Sequence, residues 1–380
     1  MKVSIELQPC LKNRSGIGIY TYEISKNLQR FHNINLCGDI FNFINRNNLD
    51  KDLDGLDFNC KVFNLFPYGV YRRMWNYIYI KYNWLFKDRS DIYHFFNFIV
   101  PPNVDGKVIT TVYDMTYKLY PETMDKKNLK RLNDDMKYSV DRADKIITIS
   151  ESSKEDIKRF LNVNKDKIEV VYCGVDYDRF NKLYRDDAKL VVRKRYNLPE
   201  NYILYMGTLE PRKNIESIIE AFGIFKRENS LSNKNMKLVI AGKKGWLFES
   251  IFNLVDKLSL KNEVVFTDYV DEDDKPIIYN MASLFVFPSL YEGFGIPVLE
   301  AMASSVPVIT SNVSSLPEVA GDAAILVNPK DTKFIAEKMS EILSDEELRR
   351  NLIKKGHEQA KKFTWEASAK RTYEIYKSIL

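Results

Sequence analysis

The segment 288–303 combines residue types that can bind a phosphorylated, hydroxyl-rich ligand. The apolar run Leu284–Phe287 predicts a strand, which leads into a loop that contains Gly293 and Gly295. Two glycines allow a bound group to approach the backbone closely. A helix predicted to open near Pro297 would present N–H groups and the positive end of its dipole, which both favour a phosphate.

Two carboxylates accompany this loop and helix. Glu292 lies in the loop, and Glu300 follows about two turns into the predicted helix. Both side chains could face one elongated ligand, because carboxylates accept hydrogen bonds from ligand hydroxyls. The alternative is an ordinary helix start with a chance pair of glutamates, since two-glycine loops alone are common. The loop, the proline and both glutamates together favour a ligand site.

A second constellation is the pair Arg212-Lys213, between the predicted strand Tyr202–Met206 and a helix predicted from Ile215. Adjacent cations in a strand-end loop can hold a diphosphate, with Arg as a two-pronged donor and Lys as a point charge. The alternative is a solvated loop with surface cations. The position at the carboxyl end of a strand favours the ligand site, because ligands of open α/β sheets bind there.

A third motif follows the first predicted strand. Gly16 and Gly18, in the stretch Arg14–Tyr20, form half of a dinucleotide-binding pattern, but the third glycine position holds another residue. A tight turn from strand to helix would produce the same spacing. Both interpretations stay open.

Short apolar runs alternate with amphipathic stretches along almost the whole chain. This alternation predicts an α/β protein with parallel, doubly wound sheets. One series closes with the run Lys145–Ile149, and a new one opens at Tyr202 after a charged, turn-rich stretch. We therefore expect two Rossmann-like domains with a boundary near residues 180–198, and a ligand site in the cleft between them.

Composition narrows the class of protein. The 380 residues carry 57 basic and 52 acidic side chains, and a net charge of +5 is too mild to indicate a nucleic-acid partner. Four scattered cysteines and three histidines predict neither a disulfide framework nor a histidine-built zinc site. We find no secretory leader pattern and no apolar run long enough for a membrane span, so we expect a cytoplasmic protein.

With these motifs, the sequence resembles the large family 4 of retaining glycosyltransferases, especially its bacterial mannosyltransferase-like branch. The resemblance implies a GT-B fold, in which two Rossmann-like doubly wound domains face each other across a cleft. The expected parts are an acceptor-binding domain 1–185, a nucleotide-sugar-binding domain 186–364, and a helix 365–380 that crosses back to the first domain. The matching stretches cover essentially the whole chain: 14–20, 107–122, 207–214, 241–246, 291–303 and 314–329.

The resemblance also implies roles for individual residues. Glu292 would bind hydroxyls of the donor sugar, and Glu300 would bind the ribose. Arg212 and Lys213 would hold the diphosphate and stabilise its charge as the glycosidic bond breaks. These cations would replace a metal, so neither a metal nor another cofactor is expected, and the acidic run 271–274 is interpreted as a solvated turn. The residues expected to contact the donor are Gly16, Gly18, Gly207, Thr208, Tyr269, Val270, Gly293, Phe294, Gly295, Ile296, Val298, Leu299 and Glu300.

Two positions depart from the family pattern. Many relatives carry Arg where this chain has Thr208, and relatives often carry His where it has Tyr113. Asp114 remains the candidate catalytic residue that positions the acceptor or receives its proton. Tyr113 and His94 are further acceptor-side candidates, and a half-buried residue at the end of a strand is the equal alternative for His94.

The segment 66–87 is unusually rich in Trp, Tyr, Arg and Lys. This composition is typical of a membrane–water interface. One hypothesis is that this part docks on the inner leaflet of the membrane and faces a lipid-linked acceptor. The alternative is an aromatic helix packed in the core of its domain, with the basic residues outside.

The resemblance implies transfer of a hexose, first of all mannose from GDP-mannose, to a glycan or lipid-linked oligosaccharide in surface polysaccharide synthesis. The expected partners are the nucleotide-sugar donor, this acceptor and the inner face of the cytoplasmic membrane. The alternatives are a UDP-sugar donor, a sugar-nucleotide epimerase of the same fold, and a non-catalytic sugar-nucleotide-binding module. The small number of histidines argues against the epimerase. The presence of all four donor-site charges argues against the non-catalytic module.

Overall fold

A computed structural model describes residues 1–11, 16–45, 48–75, 77–228 and 235–380. They form two compact units. The first unit comprises Met1–Gly174 together with Trp365–Leu380, and the second comprises Val175–Thr364.

The chain enters the second unit before the boundary at 185/186 that the sequence suggested. Val175 donates its backbone N–H to Phe363 O at 3.0 Å, and both residues belong to the second unit. The ring of Phe180 packs edge-on against the ring of Tyr279, with 5.9 Å between their centroids. Residues 175–185 are therefore placed by contacts within the second unit.

The first unit contains a seven-stranded sheet in the order β3-β2-β1-β4-β5-β6-β7, in which every pair of neighbours is parallel. Its strands are β1 (Lys2–Glu6), β2 (Asn35–Phe41), β3 (Cys60–Phe63), β4 (Ile92–Phe95), β5 (Lys107–Thr111), β6 (Lys145–Thr148) and β7 (Ile168–Val170). Its first helices are α1 (Gly16–Leu28), α2 (Leu49–Asp52), α3 (Tyr68–Met74), α4 (Tyr82–Phe86), α5 (Thr116–Leu119), α6 (Lys126–Arg142) and α7 (Glu151–Leu161).

The second unit contains a six-stranded parallel sheet in the order β10-β9-β8-β11-β12-β13. Its strands are β8 (Tyr202–Met206), β9 (Lys237–Ala241), β10 (Val264–Asp268), β11 (Leu284–Phe287), β12 (Val308–Ser311) and β13 (Ile325–Val327). Its helices are α8 (Tyr177–Phe180), α9 (Asp186–Arg195), α10 (Ile215–Glu228), α11 (Glu249–Lys257), α12 (Lys275–Asn280), α13 (Ile296–Ala303), α14 (Leu316–Ala320), α15 (Thr332–Ser344) and α16 (Glu346–Ala360).

The last helix, α17 (Trp365–Ser378), belongs to the first unit and packs against α1. The ring of Trp365 lies edge-on to Tyr20 at 6.0 Å, and Tyr373 stacks on Phe31 at 4.6 Å. Aromatic pairs of this kind add a modest stabilisation beyond the area that they bury. Among the described residues, none of the helices combines the length and the apolar character that a bilayer crossing requires.

The central strands explain why the alternating pattern could be read from the sequence. Every residue of β8 and of β11 is buried, and the two strands have the bounds predicted for them. Parallel strands covered by helices on both faces are apolar along their whole length, which makes them visible as continuous runs. The expected fold of two parallel-sheet, Rossmann-like units is confirmed.

In each sheet the strand order reverses once, between β1 and β4 in the first unit and between β8 and β11 in the second. Neighbouring loops diverge at such a reversal and leave a crevice beyond the carboxyl ends of the strands, where ligands of this type of sheet bind. The loops that follow β1, β4, β8 and β11 are therefore the structural basis of any site.

Candidate functional site

The loop after β8 is held by the loop after β9. Gly207 donates its N–H to Ala241 O at 2.9 Å, and Leu209 donates to Lys243 O at 3.0 Å. Gly242 has a φ of +144°, and a Cβ at this position would lie 1.9 Å from Gly207 O. Only glycine fits there, so the two loops approach each other backbone to backbone.

Arg212 and Lys213 lie on a single 3₁₀ turn that follows this loop. Asn214 ends the turn in the left-handed conformation, with a φ of +57°, which asparagine tolerates better than most residues. Its Nδ2 donates to Pro288 O at 3.0 Å and to Pro329 O at 2.7 Å. The first bond ties the loop after β8 to the loop after β11, and the second ties it to the loop after β13. The first therefore brings the two main predicted constellations together.

The constellations meet in an ion-pair cluster around Glu292. Arg212 donates from Nη1 to Glu292 Oε2 at 2.9 Å, and Lys213 Nζ donates to Oε1 at 2.6 Å. Arg212 also donates from Nη2 to Glu210 Oε1 at 2.5 Å and from Nη1 to Tyr291 O at 2.6 Å. The two cations and two carboxylates balance each other, and the cations are held at fixed positions.

Glu292 is ionised in this environment although it is only 7% exposed. Burial by itself would raise the pKa of its carboxyl, because burial removes water from the charged form. The positive charges of Arg212 and Lys213 outweigh this effect and lower the pKa to about 2. A carboxylate has about four lone-pair directions, so the two ion pairs leave capacity for the hydroxyls of a ligand.

The backbone of the Glu292 loop is held by two serines that follow β12. Glu292 donates its N–H to Ser314 Oγ at 3.0 Å. Ser315 Oγ, which is fully buried, lies 2.9 Å from Glu292 O and 2.8 Å from Phe294 O. The loop is thus positioned by the protein itself, which is the preorganisation that a binding site needs.

Helix α13 begins directly after the glycine loop, as the sequence predicts. Gly295 has a φ of +115°, and a Cβ there would lie 2.7 Å from Leu316 Cδ2, so conformation and space both favour glycine. Pro297 lies in the first turn, where its missing N–H leaves no helical bond unmade. The positive end of the α13 dipole therefore adjoins the Glu292 loop and favours an anion there.

Glu300 lies about one turn into α13, and not the two turns that the sequence suggested, in a second polar cluster. Burial raises the pKa of its carboxyl, Lys275 opposes this, and Glu272 adds to it. Tyr279 donates its hydroxyl to Glu300 Oε2 at 2.9 Å, while Lys275 pairs with Glu272 at 2.6 Å. Sequence reasoning did not single out Lys275 or Tyr279, because their proximity to Glu300 depends on the packing of α12 against α13.

The other residues predicted to contact the donor differ in exposure. Thr208 is half-buried, and Tyr269 is 46% exposed. Gly293 is buried and Ile296 half-buried in the Glu292 loop. The remaining four have side chains in the core, so that they would reach a donor only through backbone atoms: Val270, Phe294, Val298 and Leu299.

In the first unit, two of the predicted acceptor-side residues follow β5. Asp114 is half-buried, and its Oδ1 accepts the backbone N–H of Thr116 at 2.8 Å. Tyr113 is buried, with its ring edge-on to Tyr20 at 5.5 Å and to Phe98 at 5.4 Å. Asp114 therefore lies at the carboxyl end of β5, and its role stays a prediction.

His94 lies inside the core of the first unit. It is 1% exposed, with Nδ1 2.7 Å from the Tyr376 hydroxyl and Nε2 2.8 Å from Thr111 Oγ1. Burial lowers the pKa of the ring to about 3, so the imidazole is neutral. Because both ring nitrogens are already bonded, these contacts favour a structural role in the strand over a role as acceptor base.

Gly16 and Gly18 both lie in α1. Gly16 is exposed with open space where a Cβ would be, whereas Gly18 is buried. Arg14 and Ser15, which complete the predicted motif, lie outside the described residues. The contact of the two glycines with a donor stays a prediction.

The aromatic segment 66–87 divides into a buried and an exposed part; Asn76 in its middle lies outside the described residues. The rings of Tyr71 and Tyr82 are buried, and Tyr71 stacks on Phe41 at 5.5 Å. The alternative of an aromatic core thus holds for this part of the segment. Three aromatic side chains stay 88%, 65% and 62% exposed, respectively: Tyr77, Tyr79 and Trp84.

A cavity of about 910 Å³ lies beside Trp84, at the amino ends of β1, β4 and β5. Within it, Lys2 pairs with Asp88 at 2.6 Å and Lys81 pairs with Asp105 at 2.9 Å. In the part of the chain that the structure describes, the cavity cations without an ion pair are Lys87 and Arg89.

The chain matches two family models. Residues 187–359 match the model of the glycosyl transferases group 1, and residues 14–179 match the model of Glycosyltransferase Family 4.

Two curated relatives come from Escherichia coli. The O-antigen chain mannosyltransferase B is 35% identical over 301 residues, which cover 78% of this chain and 77% of that protein. The serotype-specific mannosyltransferase WbdA is 31% identical over 281 residues, which cover 73% of this chain but 34% of WbdA. The present chain therefore spans about a third of the length of WbdA.

Two solved structures superpose along the whole chain. The match to sucrose-phosphate synthase from Thermosynechococcus elongatus has a TM-score of 0.73 at 19% identity. It covers 100% of this chain and 99% of the synthase chain. HepE from Anabaena, solved with UDP and glucose, has a TM-score of 0.74 at 14% identity and covers 100% of both chains. At such identities the likeness shows the fold alone. From the fold together with the match to the E. coli O-antigen enzyme, the chain belongs to glycosyltransferase family 4, has the GT-B fold, and is a glycosyltransferase.

Proposed function

We propose that this glycosyltransferase moves a mannosyl residue from GDP-mannose, with retention of configuration, to a glycan or lipid-linked oligosaccharide in surface polysaccharide synthesis. The observation that carries the proposal is the cluster of Arg212, Lys213 and Glu292. The names of the relatives, an O-antigen chain mannosyltransferase and a serotype-specific mannosyltransferase, support the sugar and the pathway.

The cluster supplies charge where a sugar nucleotide needs it. Arg212 and Lys213 would share their positive charge between Glu292 and the diphosphate, and would stabilise the diphosphate as it leaves. Glu292 would orient the sugar by accepting bonds from its hydroxyls. Glu300, supported by Tyr279, would accept a bond from the ribose hydroxyls. These contacts recognise sugar, diphosphate and ribose, and leave the nucleotide base to the loop around Tyr269.

The reaction would proceed on one face of the donor sugar. The bond from the anomeric carbon to the diphosphate breaks, and the bond to the acceptor oxygen forms on the same side. The acceptor proton passes to an oxygen of the departing diphosphate. Asp114 would position the acceptor hydroxyl for this step.

The donor is tested by thermal melting of the protein with GDP-mannose, UDP-glucose and ADP-glucose. A ligand that binds only the folded state raises the melting temperature in proportion to its saturation. We expect the largest rise with GDP-mannose. A larger rise with UDP-glucose would replace the GDP-mannose assignment by the UDP-sugar alternative. No rise with any of the three would contradict the donor site itself.

Retention is tested on the product of transfer. NMR of the new glycosidic linkage should show the anomeric configuration of the donor. The opposite configuration would contradict the single-face reaction while leaving the donor site intact.

We also propose that transfer needs no metal ion, because the two cations of the cluster supply the positive charge beside the diphosphate. Transfer rates should be equal in EDTA and in Mg²⁺ or Mn²⁺. A loss of activity in EDTA that Mn²⁺ restores would contradict this proposal.

We further propose that the first unit binds the inner leaflet through Tyr77, Tyr79 and Trp84, with Lys87 and Arg89 beside them. Exposed aromatic rings next to cations suit the headgroup region of an anionic bilayer. The matching expectation is an enzyme that works at the cytoplasmic face of the membrane.

Flotation with phosphatidylglycerol vesicles at low salt tests this surface. The wild type should float, and the triple variant Tyr77→Ser/Tyr79→Ser/Trp84→Ser should stay in the soluble fraction. A matched control is Tyr138→Ser/Tyr172→Ser, which removes two other exposed tyrosines of the same unit. Equal recovery of wild type and triple variant in the soluble fraction would exclude the membrane surface.

A further inference from the structure

A cluster of polar side chains lies where the strand order of the first sheet reverses, beyond the carboxyl ends of β1 and β4. Glu6 is the last residue of β1, and Asn97 follows β4 closely. Arg131 comes from α6 and Tyr68 from α3. A reversal of this kind is the place where α/β sheets bind ligands, and no role assigned above uses these four residues.

Glu6 is a buried carboxylate that no cation of the described residues approaches to ion-pair distance. It is 8% exposed and accepts a hydrogen bond from the backbone N–H of Phe96. Among the described residues, no ion pair of 4.0 Å or less involves Glu6. Burial raises the pKa of its carboxyl to about 7; Arg131 opposes this and neighbouring Asp39 adds to it. A charge in such a place costs stability unless hydrogen-bond donors offset it, so a ligand that donates to Glu6 would favour its ionised form.

The cation nearest to Glu6 in this cluster is Arg131, and its guanidinium has a hydrogen-bond donor that is not used within the described residues. Its Nη2 donates to Asn97 Oδ1 at 3.3 Å. Its Nε is buried and has no hydrogen-bond acceptor among the described residues. Burial lowers the pKa of the guanidinium, while Tyr68 and Glu6 oppose that shift. A buried donor without an acceptor is expected to have a partner in the working state.

The helices that carry Tyr68 and Arg131 are held by ring packing and by an ion pair. Tyr68 packs edge-on to Phe41 at 5.3 Å and to Trp75 at 6.3 Å. Arg72, on the same helix, holds Asp135 of α6 with Nε at 3.0 Å and Nη2 at 2.6 Å. Both bonds go to Oδ2 of Asp135, and they join α3, which carries Tyr68, to α6, which carries Arg131.

The combination of a carboxylate, a guanidinium and a carboxamide indicates the chemical class of the ligand. An anion would be repelled by Glu6, and a cation would be repelled by Arg131. Sugar hydroxyls both donate and accept, so they can satisfy a carboxylate, a carboxamide and a guanidinium together. An aromatic ring such as that of Tyr68 offers an apolar face with a polar end beside them.

We propose that Glu6, Asn97, Arg131 and Tyr68 form the subsite that binds the terminal sugar of the acceptor glycan. The proposal rests on the proposed glycosyl transfer, since it names the acceptor contacts of that reaction. Glu6 accepts from the hydroxyls of the sugar, and Arg131 and Asn97 donate to them.

Direct binding tests the subsite without the donor. Saturation-transfer NMR with an α-linked mannotriose should show saturable binding to the wild type, weakened about tenfold or more in Glu6→Gln and in Arg131→Met. The control Asp134→Asn, on the exposed face of the same helix α6, should bind like the wild type. No saturable binding by the wild type, or wild-type affinity in both subsite variants, overturns the proposal.

Kinetics then separate this subsite from the donor site. In Glu6→Gln the KM for the acceptor should rise about ten- to hundredfold, since hydrogen bonds to charged groups are strong, while the KM for the donor and the melting shift with GDP-mannose stay unchanged. A rise in the donor KM alone, or an unchanged acceptor KM, overturns the subsite. Failure of the donor proposal would appear differently, as a wild type that binds mannotriose but shows no melting shift with any sugar nucleotide.

Discussion

Glu292 keeps its charge chiefly because Arg212 and Lys213 lie against it. Replacing it by glutamine removes one carboxylate from a balanced cluster and leaves the two cations with Glu210. We expect Glu292→Gln to lower kcat of transfer about 10²–10³-fold, the range measured when one preorganised electrostatic contact is lost.

The matched control is Glu220→Gln, an exposed glutamate on α10 outside the cluster, which should leave kcat unchanged. Initial rates at saturating donor and acceptor give the comparison. A wild-type kcat in Glu292→Gln would show that Glu292 has no role in the reaction.

Glu6 and Glu292 should affect stability with opposite dependence on pH. The folded-state pKa of Glu6 is raised from 4.5 to about 7, so ionisation destabilises the folded protein as pH rises from about 4.5 to about 7, and the loss is complete above that. Glu6→Gln should therefore raise the free energy of unfolding at pH 8, by on the order of 3 kcal/mol, and change little at pH 4.

The folded-state pKa of Glu292 is lowered from 4.5 to about 2. Its ionised form stabilises the folded protein above about pH 4.5, and this contribution is lost as pH falls towards 2. Glu292→Gln should accordingly lower the free energy of unfolding at pH 7. Denaturant titrations at pH 4 and pH 8 measure both variants, and the same sign for both at pH 8 would contradict the assigned environments.

For individual residues, the sequence was informative where the functional side chains are neighbours in the chain. Arg212-Lys213 and the Glu292 loop were recognisable because each is a short motif after an apolar strand. Glu6 was not recognisable in the sequence, because a single acidic residue at the end of a strand is common. The nearby cation, Arg131, is far from Glu6 along the chain. For His94 the sequence left an acceptor-side role and a half-buried strand end equally open, because its contact with Tyr376 joins residues far apart in the chain.

Among the elements, the loop after β9 depends on one glycine. A Cβ at Gly242 would lie 1.9 Å from Gly207 O, and its φ of +144° disfavours any other residue. We expect Gly242→Ala to lower the free energy of unfolding by more than about 2 kcal/mol, because the backbone itself must move.

Gly223→Ala is the matched control. This glycine lies inside α10, where a Cβ would meet its nearest neighbour at an ordinary 3.5 Å. Alanine there should stabilise the protein by about 0.5–1 kcal/mol, since it favours the helix. Denaturant unfolding of both variants compares the two sites, and similar effects of both substitutions would show that the Gly242 contact is not limiting.

The strands show which elements a sequence reveals. β8 and β11 are apolar throughout and were predicted with their observed bounds. β2 is less evident, because Gly38 and Asp39 lie within it. Asp39 is buried and bonded by Ser4 of the neighbouring strand, a contact that only the sheet provides.

On the scale of the whole molecule, the end of the chain completes the first unit. Tyr376 of α17 reaches His94 of β4, and both are buried. Tyr376→Phe leaves the ring in place but deprives His94 Nδ1 of its partner. We expect it to lower the free energy of unfolding by about 1–3 kcal/mol, the usual effect of an unpaired buried polar group.

Tyr373→Phe provides the comparison, because Tyr373 contributes a stacked ring rather than a buried hydroxyl contact. It should change the unfolding free energy by less than about 0.5 kcal/mol. A similar loss in both variants, measured by urea unfolding, would show that the hydroxyl of Tyr376 adds nothing to stability.

The two ends of the first sheet are chemically different. Trp84 and the basic cavity lie at the amino ends of the strands, whereas Asp114 and Glu6 lie at the carboxyl ends. A five-residue strand is about 17 Å long, so a bilayer bound at the proposed membrane surface would lie about that far from Asp114 and Glu6. A sugar attached directly to a lipid phosphate would then not reach Asp114 and Glu6. Only a glycan that already carries several sugars could extend that far from the bilayer. The enzyme would thus elongate rather than initiate, which transfer rates on membrane-bound acceptors of increasing length should show as a threshold.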